Sequence, residues 1–480
     1  MRAPPLALRI SVVLATLLPL CGAVCYAAAP DERAESVHAL FSAWDTCETP
    51  GAVVAVIKDG KFLYKRAFGM ADLERDVPLS TLSMFDIASI SKQFVAFSIL
   101  MLEEQGKLTL DDDIRTYLPE FPDYGTTITL RHMIHHTSGI RDYMDLMELA
   151  GLRWENSYHR LEIVDLVSRQ KALNNDPGDA HLYSNSGYLL LAEILQRVSG
   201  QTLGAFTTQH IFEPLGMKVS HFYEDFTRIV KHRSLSYSEQ ESGGYRSVQY
   251  IFDVVGDTGL LTDVEDLSRW DGNLYDNVLG KGGSELIEHM LTPGRLGSGE
   301  SIAYAFGLEL EEYRGLRVVR HGGGAAGYDT EMMRFPDQKL TVLVLSNLQQ
   351  FPSTELAKRV ADIYLADDFT AGPQPESRRG ERSASPAAEI ELDMTAPELE
   401  AHVSSYYSPE LDASYVFRRN ESLILRIAYD PARIELVPIG PDTWRGGRME
   451  FRFIRDRSGR ITGLNVSSGR IRDIFFQKDS

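Results

Sequence analysis

Cysteine is scarce in this 480-residue chain, with three in all, at positions 21, 25 and 47. The first two fall in the N-terminal apolar stretch, so a chain cut behind that stretch keeps Cys47 alone and forms no intrachain disulfide. Its fold must rest on a packed core. Cys47 lies among Asp45, Glu48 and Thr49 with no helix start behind it, which argues against a catalytic thiol. Long apolar runs are equally few. Beyond residue 29 no run reaches the roughly 18 apolar residues that a membrane-spanning helix needs. Basic charge is short as well: 49 Lys and Arg against 68 Asp and Glu leave a formal net charge of −19, which disfavours binding to nucleic acid or to an anionic membrane. No internal repeat is visible.

What is present begins with a leader. Arg2 and Arg9 precede the apolar run Ile10 to Val24, and Tyr26-Ala-Ala-Ala29 offers small residues for cleavage, the pattern of an export signal. Pro30 places the cut after Ala27 or Ala28. An uncleaved anchor is the alternative, since Ile10 to Ala29 could just reach across a bilayer. Neither Cys21 nor Cys25 follows the small residues of a lipid-attachment site. A periplasmic or secreted protein is expected. The whole chain is 43% hydrophobic and 24% charged, as in folded proteins, and too long for one core. Gly372 to Pro386, rich in Pro, Gly, Ser and charge, reads as a linker. The expected division is a signal peptide over 1–29, a large domain over 30–370, a linker over 371–392 and a small domain over 393–480.

In the large domain a helix over Glu35 to Trp44 precedes a hairpin, Val53 to Ile57 and Phe62 to Phe68, turning at Asp59-Gly60. An apolar helix follows from Ser89 to Gln105 and stops at Gly106. Residues 110 to 295 read as mostly helical, with a capping box at Thr262-Asp-Val-Glu265. Strands return at Leu316 to Arg320, Glu331 to Phe335 and Leu340 to Leu345, and a helix from Thr354 to Leu365 closes the domain. Strands from both ends imply one antiparallel sheet with a helical region beside it. After the linker, β-type segments recur at Tyr415 to Arg418, Leu423 to Ile427, Ile434 to Pro438, Met449 to Ile454, Ile461 to Val466 and Ile471 to Phe476, with turns such as Arg457-Ser-Gly-Arg460 and Ser468-Gly469. This is the pattern of a small antiparallel barrel or sandwich.

Three local patterns could carry chemistry. In Ser89-Ile-Ser-Lys92, residues three apart share a helix face, so the Lys92 amine can reach the Ser89 hydroxyl; an N-capping Ser89 followed by a surface Lys92 is the alternative. The helix N-terminus favours alkoxide character and a nearby oxyanion. A serine attacks only when a base takes its proton, and a lysine serves only if kept neutral. A second Ser-x-x-Lys, Ser168 to Lys171, sits late in a polar-faced helix and reads as surface. In Tyr183-Ser-Asn185, a turn and a helix start would place a phenol and an amide on a loop. Close to Ser89 and Lys92 they could shuttle protons and hold Lys92 or a substrate carbonyl, with loop capping as the alternative; a similar Tyr275-Asp-Asn277 is a decoy. In His321-Gly-Gly-Gly324, consecutive glycines bring backbone N–H groups close to a ligand.

In this order the three patterns resemble the penicillin-recognising serine hydrolases, in the branch of class C β-lactamases, D-alanyl-D-alanine peptidases and related esterases. Phe85 to Phe94, Ile128 to Ile140 and Gly259 to Thr262 fit too, and the likeness covers roughly 35 to 367. The last segment looks like the lipocalin-like barrel often appended to such enzymes. The resemblance implies an α+β fold, an antiparallel sheet flanked by helices plus an all-helical subdomain (β-lactamase/transpeptidase-like), followed by a small all-β barrel. It implies acylation at Ser89, Lys92 as partner base and Tyr183 as proton shuttle and activator of the deacylating water, the two sharing the base role with the first proton acceptor left open between them. Asn185 would bind the substrate amide, with His321 beside it. The oxyanion hole would combine the Ser89 N–H with one from Gly323 or Gly324. No cofactor is implied, and the partner is a small-molecule or peptide substrate.

One departure stands out. Many β-lactamases carry lysine where this chain has His321, and a mostly neutral imidazole attracts a carboxylate less. A peptidase or esterase with weak lactam turnover is the expectation, a true β-lactamase or a catalytically silent binding protein being the alternatives. An α/β-hydrolase is disfavoured, since no Gly-x-Ser-x-Gly elbow occurs. His132 and His136, four apart on a helix, have no acidic base beside them and read as structural rather than as metal ligands, and His135 adds nothing. The barrel could cap the cleft or mediate assembly, and the oligomeric state stays open.

Overall fold

Asp59 (φ +50°) and Gly60 (φ +71°) turn the chain between strands Ala52–Lys58 and Lys61–Phe68, as a two-residue hairpin loop requires. A computed structural model describes residues 31–372 and 396–479, apart from 421, 429 and 431. The leader (1–29) and most of the linker lie outside the described residues.

The hairpin joins a six-stranded antiparallel sheet in the order Glu309–Tyr313, Leu316–Ala325, Tyr328–Phe335, Leu340–Ser346, Ala52–Lys58, Lys61–Phe68. Both chain ends thus build one sheet. Val53, Ala55 and Ile57 enter the core on one face, while Ala52, Val54 and Val56 enter the core on the other. With both faces covered, the strand is apolar at every position instead of alternating. Helices Glu32–Phe41 and Ser353–Tyr364 cover the second face through Val37, Phe41, Leu356 and Val360. Helices Lys92–Glu104 and Asn185–Ser199 pack in the larger core on the first. The middle of the chain does not meet the expectation of a mostly helical region over 110 to 295: helices such as Arg160–Ser168 and Val264–Asn273 alternate with long loops and short strands such as His221–Phe222 and Leu260–Thr262, and most of the stretch is loop.

Two local expectations shift. The capping residue near 262 is Asp263, whose carboxylate accepts from the Asp266 N–H at 2.9 Å; Thr262 ends a strand instead, with its hydroxyl 2.6 Å from that of Ser220. The acid one position on caps equally well. The glycines 322–324 do not follow a strand but extend it, since Val319 to Ala325, glycines included, pair residue by residue with Arg334 to Tyr328. Sheet pairing overrides their weak strand preference.

The last segment closes into an eight-stranded barrel whose strands neighbour one another in chain order, Ser404–Ser408 meeting Ile471–Lys478. Alternate residues such as Tyr415, Phe417, Phe451, Phe453, Leu464 and Phe476 fill its interior. Two strands, Ser404–Ser408 and Thr443–Gly446, were not anticipated: the second spans four residues, too few for a readable period. The barrel packs on the large domain. Arg141 forms a buried ion pair with Glu410 at 2.6 Å, and Tyr415 donates to the Leu149 carbonyl at 2.7 Å.

Candidate active site

The chain enters the Ser89 helix through a strained turn. Ala88 adopts φ +49°, which costs a non-glycine residue about 1–2 kcal/mol. Asp86 holds that turn by accepting from the Ala88 N–H at 2.8 Å, and burial pushes its carboxyl pKa up. A short 3₁₀ turn, Ala88–Ser91, then runs into the helix, with Ser89 half-buried at its head.

Lys92 is 0% exposed, and its Nζ has three partners at 2.9 Å: Ser89 Oγ, Asn185 Oδ1 and the Asp257 carbonyl oxygen. The last two can only accept, so they take two amine hydrogens. Ser89 alone of the three can donate. Burial pushes the Lys92 amine down to about 8, against the pull of Asp257 and Asp142 and with the help of Arg470. Near that pH a neutral amine points its lone pair at the Ser89 proton.

Tyr183 lies just ahead of the helix Asn185–Ser199, its ring centroid 5.0 Å from Lys92 Nζ. Its hydroxyl faces Ser89, and burial holds its pKa well above 10, outweighing the downward pull of Ser89. It is therefore a phenol, not a phenolate, at neutral pH. His136 stacks on it at 4.1 Å and accepts from the Ser184 N–H through Nδ1 at 3.1 Å. His132 Nδ1 accepts from the Thr129 N–H at 3.2 Å in a capping box. Both histidines thus serve local structure through Nδ1, and His136 Nε2 is buried without a hydrogen-bond partner among the described residues.

His321 is buried. Its Nδ1 lies 2.6 Å from the Gly322 carbonyl oxygen and must carry the hydrogen, which leaves Nε2 to accept from Tyr304 Oη at 3.0 Å. Gly323 presses against the Ser89 turn: a Cβ there would overlap the Ile87 carbonyl oxygen and Thr330 Oγ1, and Thr330 donates to that carbonyl at 3.0 Å. Gly324 is exposed with open space where a side chain would stand. Gly323→Ala should therefore lower kcat/KM by about 100-fold or more and cost about 1–3 kcal/mol of stability. Steady-state kinetics and thermal melts check this, whereas Gly324→Ala should melt like wild type.

The structure thus brings Ser89, Lys92, Tyr183 and Asn185 into contact and sets His321, Gly323 and Gly324 on the adjoining strand. The second copies stay away: Lys171 and Tyr275 are exposed. Sequence reasoning missed the acids. Asp142 Oδ2 accepts from the Asn185 N–H at 2.5 Å. The Asp257 carboxylate accepts from Tyr143 Oη at 3.0 Å and is raised to about 6 by burial. Asp257 lies between Gly256 (φ +123°) and Gly259 (φ +90°), a glycine-flanked acid that was the available signal.

A family model described as Beta-lactamase matches residues 38–366. The chain belongs to the beta-lactamase family. As a member of that family and of the penicillin-recognising superfamily around it, it is a serine hydrolase. It is 32% identical to penicillin-binding protein 4* of Bacillus subtilis over 412 residues, covering 81% of this chain and 86% of the relative. It is 28% identical to a D-aminopeptidase of Cereibacter sphaeroides over 332 residues, 69% of this chain and 63% of that longer protein. Among solved structures, an octameric penicillin-binding protein homologue from Pyrococcus abyssi aligns with TM-score 0.61 at 24% identity over 90% of this chain and 96% of its own. That similarity shows the shared fold, barrel included.

Proposed function

We propose that this hydrolase cleaves small amide or peptide bonds of the D-Ala-D-Ala or D-aminoacyl type, and short esters, through an acyl-enzyme at Ser89. The carrying observation is the Lys92 amine, whose two hydrogens go to obligate acceptors and whose lone pair is left for Ser89. Ser89 Oγ attacks the carbonyl carbon as its proton passes to Lys92 Nζ. N–H groups of Ser89 and of the Gly323–Gly324 strand receive the oxyanion. The proton then moves from Lys92, with the Tyr183 hydroxyl as relay, to the leaving amine nitrogen, and the C–N bond breaks. Water attacks the ester by the same path, and Ser89 recovers its proton. Tyr183 only relays, since its pKa lies well above 10, while Lys92 at about 8 can be neutral beforehand.

The substrate class is supported by the D-aminopeptidase relative and by His321, whose imidazole is engaged by the Gly322 carbonyl and Tyr304 where a lysine ammonium would face a lactam carboxylate. Asn185, with its oxygen on Lys92, donates one amide hydrogen to Met144 Sδ at 3.5 Å, and its second amide hydrogen would bind the substrate carbonyl. We further propose export by the leader, which N-terminal sequencing of the mature protein tests. Turnover of a D-Ala-D-Ala peptide, a D-amino-acid p-nitroanilide, a short p-nitrophenyl ester and a chromogenic cephalosporin should rank the cephalosporin last. The acid limb of kcat/KM should have its midpoint near 8, because activity needs neutral Lys92 and falls as the amine is protonated. Cephalosporin turnover far above the others would overturn the substrate reading, and a limb near 6 would remove Lys92 as the base.

A further inference from the structure

The turn between the last two barrel strands, Ile461–Ser468 and Ile471–Lys478, holds only Gly469 and Arg470, yet it reaches the Ser89 site. The Arg470 N–H and Nε both donate to Asp145 Oδ2, at 2.8 and 3.1 Å, and Nη2 donates to Asp142 Oδ1 at 2.9 Å. The Asp142 side chain is fully buried. Its other oxygen holds the Asn185 N–H, and Asn185 Oδ1 accepts from Lys92. Three hydrogen bonds, through Asp142 and Asn185, therefore connect a barrel guanidinium to the amine beside Ser89. Arg470 also lies over the Tyr183 ring, 5.9 Å from its centroid. The turn is pressed home: Gly469 has φ +51°, and a Cβ there would meet Arg448 Nη2 and Asp145 Oδ2. On either side of Arg470 the docking is firm, with Asn174 Nδ2 donating to the Arg470 carbonyl at 2.7 Å and Arg141 Nη2 to the Arg472 carbonyl at 2.8 Å.

We infer that Arg470 is a positioning residue of the hydrolase site, delivered by the barrel to balance the buried Asp142 carboxylate and to hold Asn185, Lys92 and Tyr183 in register. The barrel is then part of the active site rather than an appendage. The inference rests on Lys92 acting as base at Ser89. The groups facing Lys92 are Ser89 on its own turn, Tyr183, Asn185 and Tyr188 at the following helix, His136 below, Asp257 and Asp142 from the loops, and Arg470 from the barrel. Among these, the acids favour protonated Lys92 and Arg470 opposes it. Without Arg470 the acids face Lys92 unbalanced, so the amine holds its proton to higher pH.

The test is the pH profile of kcat/KM for a short p-nitrophenyl ester, with full-length wild type, Arg470→Gln and Arg470→Lys. Arg470→Gln should lose about 10- to 100-fold at pH 7 and move the acid limb upward by about 0.5 pH unit or more. Arg470→Lys, keeping the charge without the two-pronged fit, should keep the limb within about 0.2 unit and recover part of the rate. A folded Arg470→Gln with the wild-type limb overturns the inference. So does an equal rate loss in both variants with no movement of the limb, which is a merely structural role. Should Arg470→Gln unfold, Arg470→Met is read in the same way, and unfolding of both counts against the inference. Absence of Ser89-dependent turnover in wild type is a separate result and contradicts the proposed function instead.

Discussion

Ser89→Ala should abolish hydrolysis of every substrate that the wild type accepts, lowering kcat by about 10⁴- to 10⁶-fold, with folding unchanged. The loss is this large because the other groups serve the serine oxygen. Lys92 has nothing to deprotonate once Oγ is gone, and Tyr183 loses the hydroxyl that it faces. Groups that act as a unit fail together. The substitution removes one half-buried hydroxyl and leaves Lys92 its two carbonyl-type acceptors, so the melting temperature should stay close to that of wild type. Stopped-time assays with the ester and a thermal melt measure both halves of the expectation. Retention of a tenth of the activity would rule out Ser89 as nucleophile.

Lys92→Met should lower kcat by about 10³-fold or more and also change how stability depends on pH. The wild-type amine is held at about 8 in the fold against 10.5 in the free side chain. Below about 8 both folded and unfolded chains carry the proton, and the fold bears the full cost of a buried ammonium. As pH rises through 8 the folded chain releases its proton first, while the unfolded chain keeps it until 10.5. Over that window the unfolded state binds more protons, so wild-type stability rises with pH. The gain is about 3 kcal/mol at 1.36 kcal/mol per pH unit. Methionine fills a similar volume without the charge, so the rise of wild type relative to Lys92→Met should be visible in denaturant titrations from pH 7.5 to 9.5. Parallel curves across that range would mean that Lys92 keeps its proton in the fold.

Much of this was legible in the sequence where the signal is local. Ser89 and Lys92 share a helix face by spacing alone, and Tyr183 is marked by the turn and helix start around it. Asp59-Gly60 announced its hairpin, and alternating residues such as Tyr415 and Phe417 announced the barrel. What stayed hidden depends on distant contacts. Asp142 and Arg470 lie 328 positions apart, and no periodicity connects them. Asp257 offers its backbone carbonyl to Lys92 rather than its carboxylate, a role that residue type does not encode. His136 looked like a helix-face residue, but at φ +57° it leaves the helix and wedges under Tyr183. His321-Gly-Gly-Gly324 was recognised as a glycine run; that it is an extended strand touching the Ser89 turn follows only from the sheet.

The account stands on a serine oxygen made nucleophilic by an uncharged buried amine. The most direct measurement is the intact mass of the wild-type protein, mixed with a slowly released acylating ester and quenched, followed by peptide mapping. The expected result is one acyl adduct per chain on the peptide containing Ser89, forming faster at pH 9 than at pH 7 and absent from Ser89→Ala. An adduct on any other residue, or turnover without a covalent intermediate under conditions that trap one, would contradict it.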